Sequence, residues 1–429
     1  MPPSAGGSSR PYADTGRGGG GDDAGREIMA RCDALAELTE ETGRLTRTFG
    51  SAMHRRALEL IAEWMEQAGM HTRRDAAGNL IGRYEGNQPG LPALMMGSHQ
   101  DTVRNGGRYD GMLGIVAPIT AVGLLHAAGE RLPFAVEVIA FTDEEGVRFG
   151  TTLLGSKALT GELDPETLAT RDATGISVAE AMREFGAAPE RISDAAYPPG
   201  TLLGFVETHI EQGPQLERAD RPLGVVTAIA GGARLEFRLD GTAGHAGTVP
   251  MDQRRDALSG AAEGVLTIEH YCQEAGDVVG TVGHIRAEPG AINVIPGAAV
   301  FTADIRAPED DRRAAAVATI RKRIESIAAA RSLECRCRWL YEADGCQCDP
   351  HLVRALAAAV YTEGSEPLRL YSGAGHDAMA MSAIAPVAML FVRCRDGLSH
   401  HPDEAITAAD ADITARVLTR FLREFEPAR

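Results

Sequence analysis

His99, Gln100 and Asp101 close an apolar run, and a second carboxylate, Asp110, follows after a glycine-rich loop. An imidazole, an acid two residues on and a further acid nearby are what a hydrolytic metal centre needs. One group binds, one orients the binder, and one can bridge two ions. Glu144 and Glu145 close another apolar run and precede Gly146, so a charged helix face describes them poorly. A pair of cocatalytic ions needs about five nitrogen and oxygen ligands, plus one carboxylate outside that set to take a proton from water. Adjacent glutamates suit both roles, with Glu145 binding an ion and Glu144 facing the water. His209, His245, His376, His400 and His401 are the other histidines in suitable loops or at strand ends. Alone, His209 reads as an ordinary histidine; the following Glu211-Gln212-Gly213 raises it. Arg306 alone reads as a surface ion pair, and the glycines around His245 as a turn.

These residues need elements to hold them. Apolar spacing predicts helix from Arg26 to Met70, short strands ending at Ile81 and over Leu91–Met96, a helix over Ile115–Ala128 and a strand over Phe134–Phe141. Strand-helix alternation indicates an α/β fold with a mixed sheet, in which ligands sit beyond the carboxyl ends of strands. His99 and Glu144-Glu145 fall at such ends. The rhythm changes near Val225. Strands over Ala233–Leu239, Val278–Ile285, Ala298–Ile305 and Leu333–Tyr341 alternate with helices over Arg254–Glu274 and Asp310–Ala330, a ferredoxin-like β-α-β-β-α-β order. The first rhythm resumes with a helix over Pro350–Thr362, a strand over Val387–Val392 and a helix over Asp410–Phe425. The expected organisation is a disordered tail over 1–25, a metal-binding domain in two parts over 26–222 and 344–429, and an inserted α+β lid or dimerisation domain over 223–343.

Composition narrows the class. The chain has 429 residues, 44% of them hydrophobic, and a net charge of -17. That supports globular domains with sizeable cores and argues against nucleic acid or anionic membrane as partner. No apolar run approaches a membrane span and no signal peptide is visible, so a cytoplasmic location is expected. Seven cysteines, an odd number, do not suggest a disulfide framework. Cys335-x-Cys337 and Cys346-x-Cys348 lack the usual zinc-ligand spacing, and the first pair sits in a strand-like run.

Four motifs in order carry a resemblance: Gly97-Ser98-His99-Gln100-Asp101, Asp143-Glu144-Glu145-Gly146, His209-Ile210-Glu211-Gln212-Gly213 and Ser372-Gly373-Ala374-Gly375-His376-Asp377. Together they resemble the dinuclear metal amidohydrolases, which include allantoate amidohydrolase, N-carbamoyl-L-amino-acid hydrolase and β-ureidopropionase, within the aminoacylase and carboxypeptidase clan. The resemblance implies that His99 and His209 hold one divalent ion, Glu145 and His400 the other, and Asp110 bridges them. It implies that Asp101 orients His99, that Glu144 is general base and then acid, and that the Asp110–Gly111 peptide is cis. His245, Asn293 and Arg306 match lid residues facing substrate, with Gln212 and Gly375 completing the pocket. Arg234 reaches substrate or only pairs on the lid.

The family commonly has Ser-His-Asn-Pro where this chain has Ser399-His400-His401-Pro402, so His401 competes with His400 as ligand. Arg306 points to a carboxylate, hence a small ureido acid. Met389–Cys394 looks more like the allantoate branch; N-carbamoyl amino acids remain the alternative. Two zinc or manganese ions per subunit, with cobalt or nickel as options, suit an all-nitrogen and oxygen ligand set. The resemblance also implies a homodimer through the inserted domain, with His245 reaching the neighbouring site. A non-catalytic scaffold on the same fold is the competing class.

Overall fold

The computed structural model describes residues 23–198 and 200–427. Residues 1–22 of the expected tail lie outside that range. Asp23–Gly25 do not belong to a tail, since they open a helix over Asp23–Ala36. Gly25 packs so tightly on the C-terminal helix, Ala408–Glu424, that a side-chain carbon there would collide with the Ala408 carbonyl.

The first part of the chain contributes β1 (His71–Arg74), β2 (Leu80–Tyr84), β3 (Ala93–His99), β4 (Ala135–Phe141), β5 (Leu202–Ile210) and β6 (Leu223–Ile229). Next come β7 (Gly231–Asp240), β8 (Gly244–His245), β9 (Val279–Thr281), β10 (Ile285–Glu288), β11 (Val294–Ile295), β12 (Ala298–Ala307) and β13 (Glu334–Ala343). The last part adds β14 (Cys346–Gln347), β15 (Leu368–Ser372) and β16 (Val387–Val392). One mixed sheet runs β1-β2-β4-β3-β5-β16-β6-β14, with β15 also on β6. Its centre, β4-β3-β5-β16, is parallel. Parallel strands covered on both faces read as continuous apolar runs, and β3, β4 and β16 are buried along their whole length.

A second sheet runs β10-β12-β7-β13, with β9 also on β12. This is the strand order of the ferredoxin-like succession, with helices over Ala257–Ala275 and Asp310–Ala330 packed against the sheet. It has its own core around Leu235, Phe237, Phe301, Ile305 and Ile320, separate from the core of the large sheet. β7 alternates cleanly because only one face is covered. The strand expected over Val278–Ile285 is two short pieces, β9 and β10. The helix expected from Arg254 starts at Ala257, where the Asp256 side chain accepts from the Ser259 N–H.

The continuous helical pattern over Arg26–Met70 is also corrected. Residues 37–51 form a loop between helices Asp23–Ala36 and Ala52–Gln67. The fully buried Arg47 holds it, donating to the carbonyls of Leu35, Leu38 and Gln100. Among the described residues, no helix is long and apolar enough to cross a membrane.

Candidate metal centre

Each of the four parallel strands delivers a site residue from its carboxyl end. His99 ends β3, and His209 is the penultimate residue of β5. Glu144 and Glu145 follow β4 by a few residues, and the loop after β16 carries His400. Asp110 stands just before the buried helix Met112–Ala127. Gly111 makes that approach feasible. Its φ is +73°, and a side-chain carbon there would collide with the His99 carbonyl and ring.

The two oxygens of Asp110 face different partners. Oδ1 lies 3.3 Å from His99 Nε2 and 3.2 Å from His209 Nε2. Oδ2 lies 3.4 Å from His400 Nε2, which is itself 3.4 Å from Glu145 Oε1. Donors sharing one tetrahedral ion, with bonds of about 2.0–2.1 Å, lie roughly 3.3 Å apart. The donor set fits two ions, one among His99, Asp110 and His209 and one among Asp110, Glu145 and His400; His99, Glu144 and Glu145 form a third close group, which places Glu144 beside both. His401 turns away, its Nδ1 3.8 Å from Asp403 Oδ2, while His400 adopts a left-handed backbone at φ +56° to face the cluster.

The tautomers suit ion binding, by a route the sequence did not suggest. His99 Nδ1 lies 3.0 Å from the backbone carbonyl of Asp101, and His209 Nδ1 2.9 Å from that of Ile210. Each Nδ1–H donates to a carbonyl, which leaves Nε2, on the side of Asp110, as the atom that can bind an ion once it carries no proton. The Asp101 carboxylate, expected to orient His99 by hydrogen bonding, is 3.6 Å from Nδ1. It accepts instead from the N–H groups of Glu144 and Glu145, at 3.0 and 3.1 Å. Asp101 thus locks the two-glutamate segment to the His99 turn. The Asp110–Gly111 peptide is trans, contrary to expectation; among the described residues the cis bond is Glu288–Pro289. The turn is made by the positive φ of Gly111, whose N–H lies 3.2 Å from His209 Nε2.

Sequence reasoning missed two supports of Asp110. Buried Glu404 accepts from the N–H groups of Tyr109 and Asp110, at 2.8 and 3.0 Å. Ser399 donates to Asp110 Oδ2 at 2.6 Å. The only sequence cue is their place beside His400. Gln212, expected at the substrate, donates to the same oxygen at 3.0 Å while also lining the cavity. His376 sets its ring edge against His209, 4.7 Å between centroids, and its Nε2 is 2.7 Å from Ser372 Oγ. Burial, then the neighbouring His209, holds His376 neutral, well below the usual imidazole range.

The charges of the cluster suit cations. Burial would lift Asp110, but His209 and His99 outweigh it and hold the carboxyl well below the usual range. Burial would lower His99, but Asp101 and Asp110 outweigh that and raise it. Glu144 is pushed well up, by burial first and against the opposing pull of His99, with Glu145 adding to the rise. Glu145 is pushed up to about 8 by burial and by the charge of Asp110. Buried acids repelling one another are relieved by cations. Ion binding must displace the protons on Glu145 and His99, so affinity should rise with pH through about 8 and level off once both groups have lost their protons. Calorimetric titration at pH 7 in two buffers of different ionisation heat should register release of at least about one proton per chain. Binding with no proton release would contradict this ligand set.

A cavity of about 470 Å³ opens from the cluster to the second sheet. Gln212, Arg234, Arg306 and Gly375 line it, and so do Lys157 and Tyr341, which were not anticipated. Arg306 lies 2.9 Å from Asp304 Oδ1 and donates to the Gly373 carbonyl at 2.8 Å. Arg234 lies 3.0 Å from Asp304 Oδ2 and stacks over Tyr341. His245 and Asn293 do not line this cavity. They are exposed beside each other where β8 pairs with β11, on a ribbon apart from both larger sheets. Within one chain they are thus not substrate contacts in this arrangement.

This fold and ligand cluster define a metallohydrolase architecture, and the chain belongs to peptidase family M20/M25/M40, whose family model matches residues 95–424. It is 42% identical to the N-carbamoyl-L-amino acid amidohydrolase of Geobacillus stearothermophilus over 92% of this chain and 97% of that protein. It is 41% identical to allantoate deiminase 1 of Glycine max over 90% of this chain and 86% of that one. Among solved structures, an amidase of the hydantoinase/carbamoylase family from Burkholderia multivorans superposes with a TM-score of 0.88, at 31% identity, over 93% of this chain and 97% of that one.

Proposed function

We propose that this chain is a dinuclear, metal-dependent amidohydrolase that cleaves the carbamoyl C–N bond of a small ureido acid, with allantoate as the favoured substrate. N-carbamoyl-L-amino acids and β-ureidopropionate are the alternatives. The observation that carries the reading is Asp110, whose two oxygens face two separate groups of ligands. Relatives at about 40% identity named for allantoate and for N-carbamoyl-L-amino acids support the ureido class.

Two divalent ions, zinc or manganese with cobalt or nickel as options, would polarise the ureido carbonyl and lower the pKa of a water from 15.7 toward about 7. His99, Asp110, His209, Glu145 and His400 would hold them. Glu144 is not needed in either group of bridging contacts, and its buried carboxyl has a raised proton affinity. It takes the proton of the attacking water and returns it to the departing nitrogen. The C–N bond breaks, and the released carbamoyl fragment falls to ammonia and carbon dioxide. Arg306 grips the substrate carboxylate, with Arg234 beside it.

His245 and Asn293 act on the site of a second subunit in a homodimer formed through the second sheet's domain. Their exposure and their absence from the cavity of their own chain support this. Mixing inactive His245→Ala and Glu144→Gln subunits should then restore about a quarter of parental activity, because half of randomly paired dimers carry one intact site. No recovery after subunit exchange would mean that His245 acts on its own chain, and a fully active His245→Ala variant would mean that it does not act at all. The net charge of -17 and the lack of a membrane-spanning helix among the described residues fit a cytoplasmic enzyme.

The test of the reaction is a substrate panel of allantoate, N-carbamoyl-L-amino acids and β-ureidopropionate, followed by ammonia release, with N-acyl amino acids followed by release of the free amino acid. Ammonia from a ureido acid is the expected result. Turnover of N-acyl amino acids alone would make the chain a deacylase.

A further inference from the structure

Of the 43 basic residues in this chain, 41 are arginine and two are lysine, Lys157 and Lys322. Lys157 lines the catalytic cavity. It is also held rigidly to the catalytic segment. Its helix, Leu154–Thr160, begins with the N–H groups of Leu153, Leu154 and Gly155 donating to the carbonyls of Glu144, Asp143 and Thr142. Lys157 stands three residues into that helix, about 4.5 Å along its axis. Leu153, also on the cavity wall, has φ +64°, a left-handed conformation costly for leucine. That strain fixes where the helix departs from the Glu144 segment.

The Lys157 ammonium makes one hydrogen bond, to the Thr152 carbonyl at 3.3 Å, and its charge is felt at the exposed Asp164 carboxylate without direct contact. Among the described residues it forms no ion pair, although Glu162 lines the same wall. The arginines on the second sheet differ, since Arg234 and Arg306 share Asp304 and together leave one charge uncompensated. One substrate carboxylate meets that charge. Lys157, on a different wall, is left for something else.

We propose that Lys157 is a specificity-determining residue. It donates to an acceptor oxygen on a second substituent of the carbon that carries the scissile ureido group. The inference rests on the ureido-acid reading above. Two kinds of substituent share this chemistry: a second ureido group, as in allantoate, and a side-chain carboxylate, as in N-carbamoyl-L-aspartate. N-carbamoyl-L-alanine has neither.

The test compares kcat/KM on these three substrates for the metal-loaded parent enzyme, Lys157→Met and Lys157→Arg. Loss of a charge-assisted hydrogen bond predicts that Lys157→Met falls about 10- to 100-fold further on the better acceptor-bearing substrate than on N-carbamoyl-L-alanine. Lys157→Arg should recover part of that difference. Whether allantoate or N-carbamoyl-L-aspartate shows the loss identifies the substituent. An equal fall on all three substrates would make Lys157 merely structural and overturn the proposal, as would no fall or a parent enzyme that prefers N-carbamoyl-L-alanine. A parent enzyme that hydrolyses no ureido acid would instead overturn the underlying reaction, and the inference with it.

Discussion

Glu144→Gln is expected to retain both ions and lose about 100- to 10,000-fold in kcat, the range that a positioned general acid–base contributes. The substitution keeps shape and removes the group that accepts and returns the proton. Glu144 is buried enough for its proton affinity to rise, yet it borders the cavity and lies 4.0 Å from His99 Nε2. KM should change little, because Glu144 is assigned no contact with the substrate carboxylate. Ammonia release and ion content measured on the same preparation separate chemistry from metal loss. Full activity with both ions bound would remove Glu144 from the reaction.

Asp110→Asn is expected to fail differently, by losing ions. Asp110 is the one side chain with an oxygen facing each ligand group, so its change weakens both. A shared ligand contributing roughly 4 kcal/mol corresponds to about 1000-fold in rate at fixed metal concentration. Excess metal should recover part of the activity of Asp110→Asn and none of that of Glu144→Gln. Circular dichroism of the metal-free variant guards against misfolding, since Asp110 is buried and its backbone N–H is tied to Glu404. Unchanged ion stoichiometry and affinity in Asp110→Asn would mean that it bridges nothing.

His99 and Glu144-Glu145 were legible in the sequence because they interrupt buried parallel strands at the ends, where an apolar run gives way to charge. The β7–β13 layer was legible because a sheet covered on one face alternates. β5 was not. Its run Leu202–Ile210 carries Glu207, Thr208 and His209 in the middle of the sheet, and buried polar residues erase the apolar pattern. Glu207 is tolerated because it accepts from Ser98 Oγ at 2.8 Å and from the Ala378 N–H at 2.9 Å. The loop over 37–51 was hidden because Arg47 replaces helical hydrogen bonds with side-chain bonds to distant carbonyls. Asp101 was expected to bind the ring of His99, because spacing reveals proximity but not which of two acceptors, carboxylate or carbonyl, the ring meets. Glu404 and Lys157 act through loops and helix placement that no local pattern encodes.

The most direct measurement counts ions per chain by elemental mass spectrometry while following ammonia release from the preferred ureido acid, before and after chelation. Two ions per chain, ammonia release abolished when they are removed and restored when they return is the expected result. Undiminished ammonia release from protein stripped to well below about one ion per chain would contradict a two-ion centre built on Asp110.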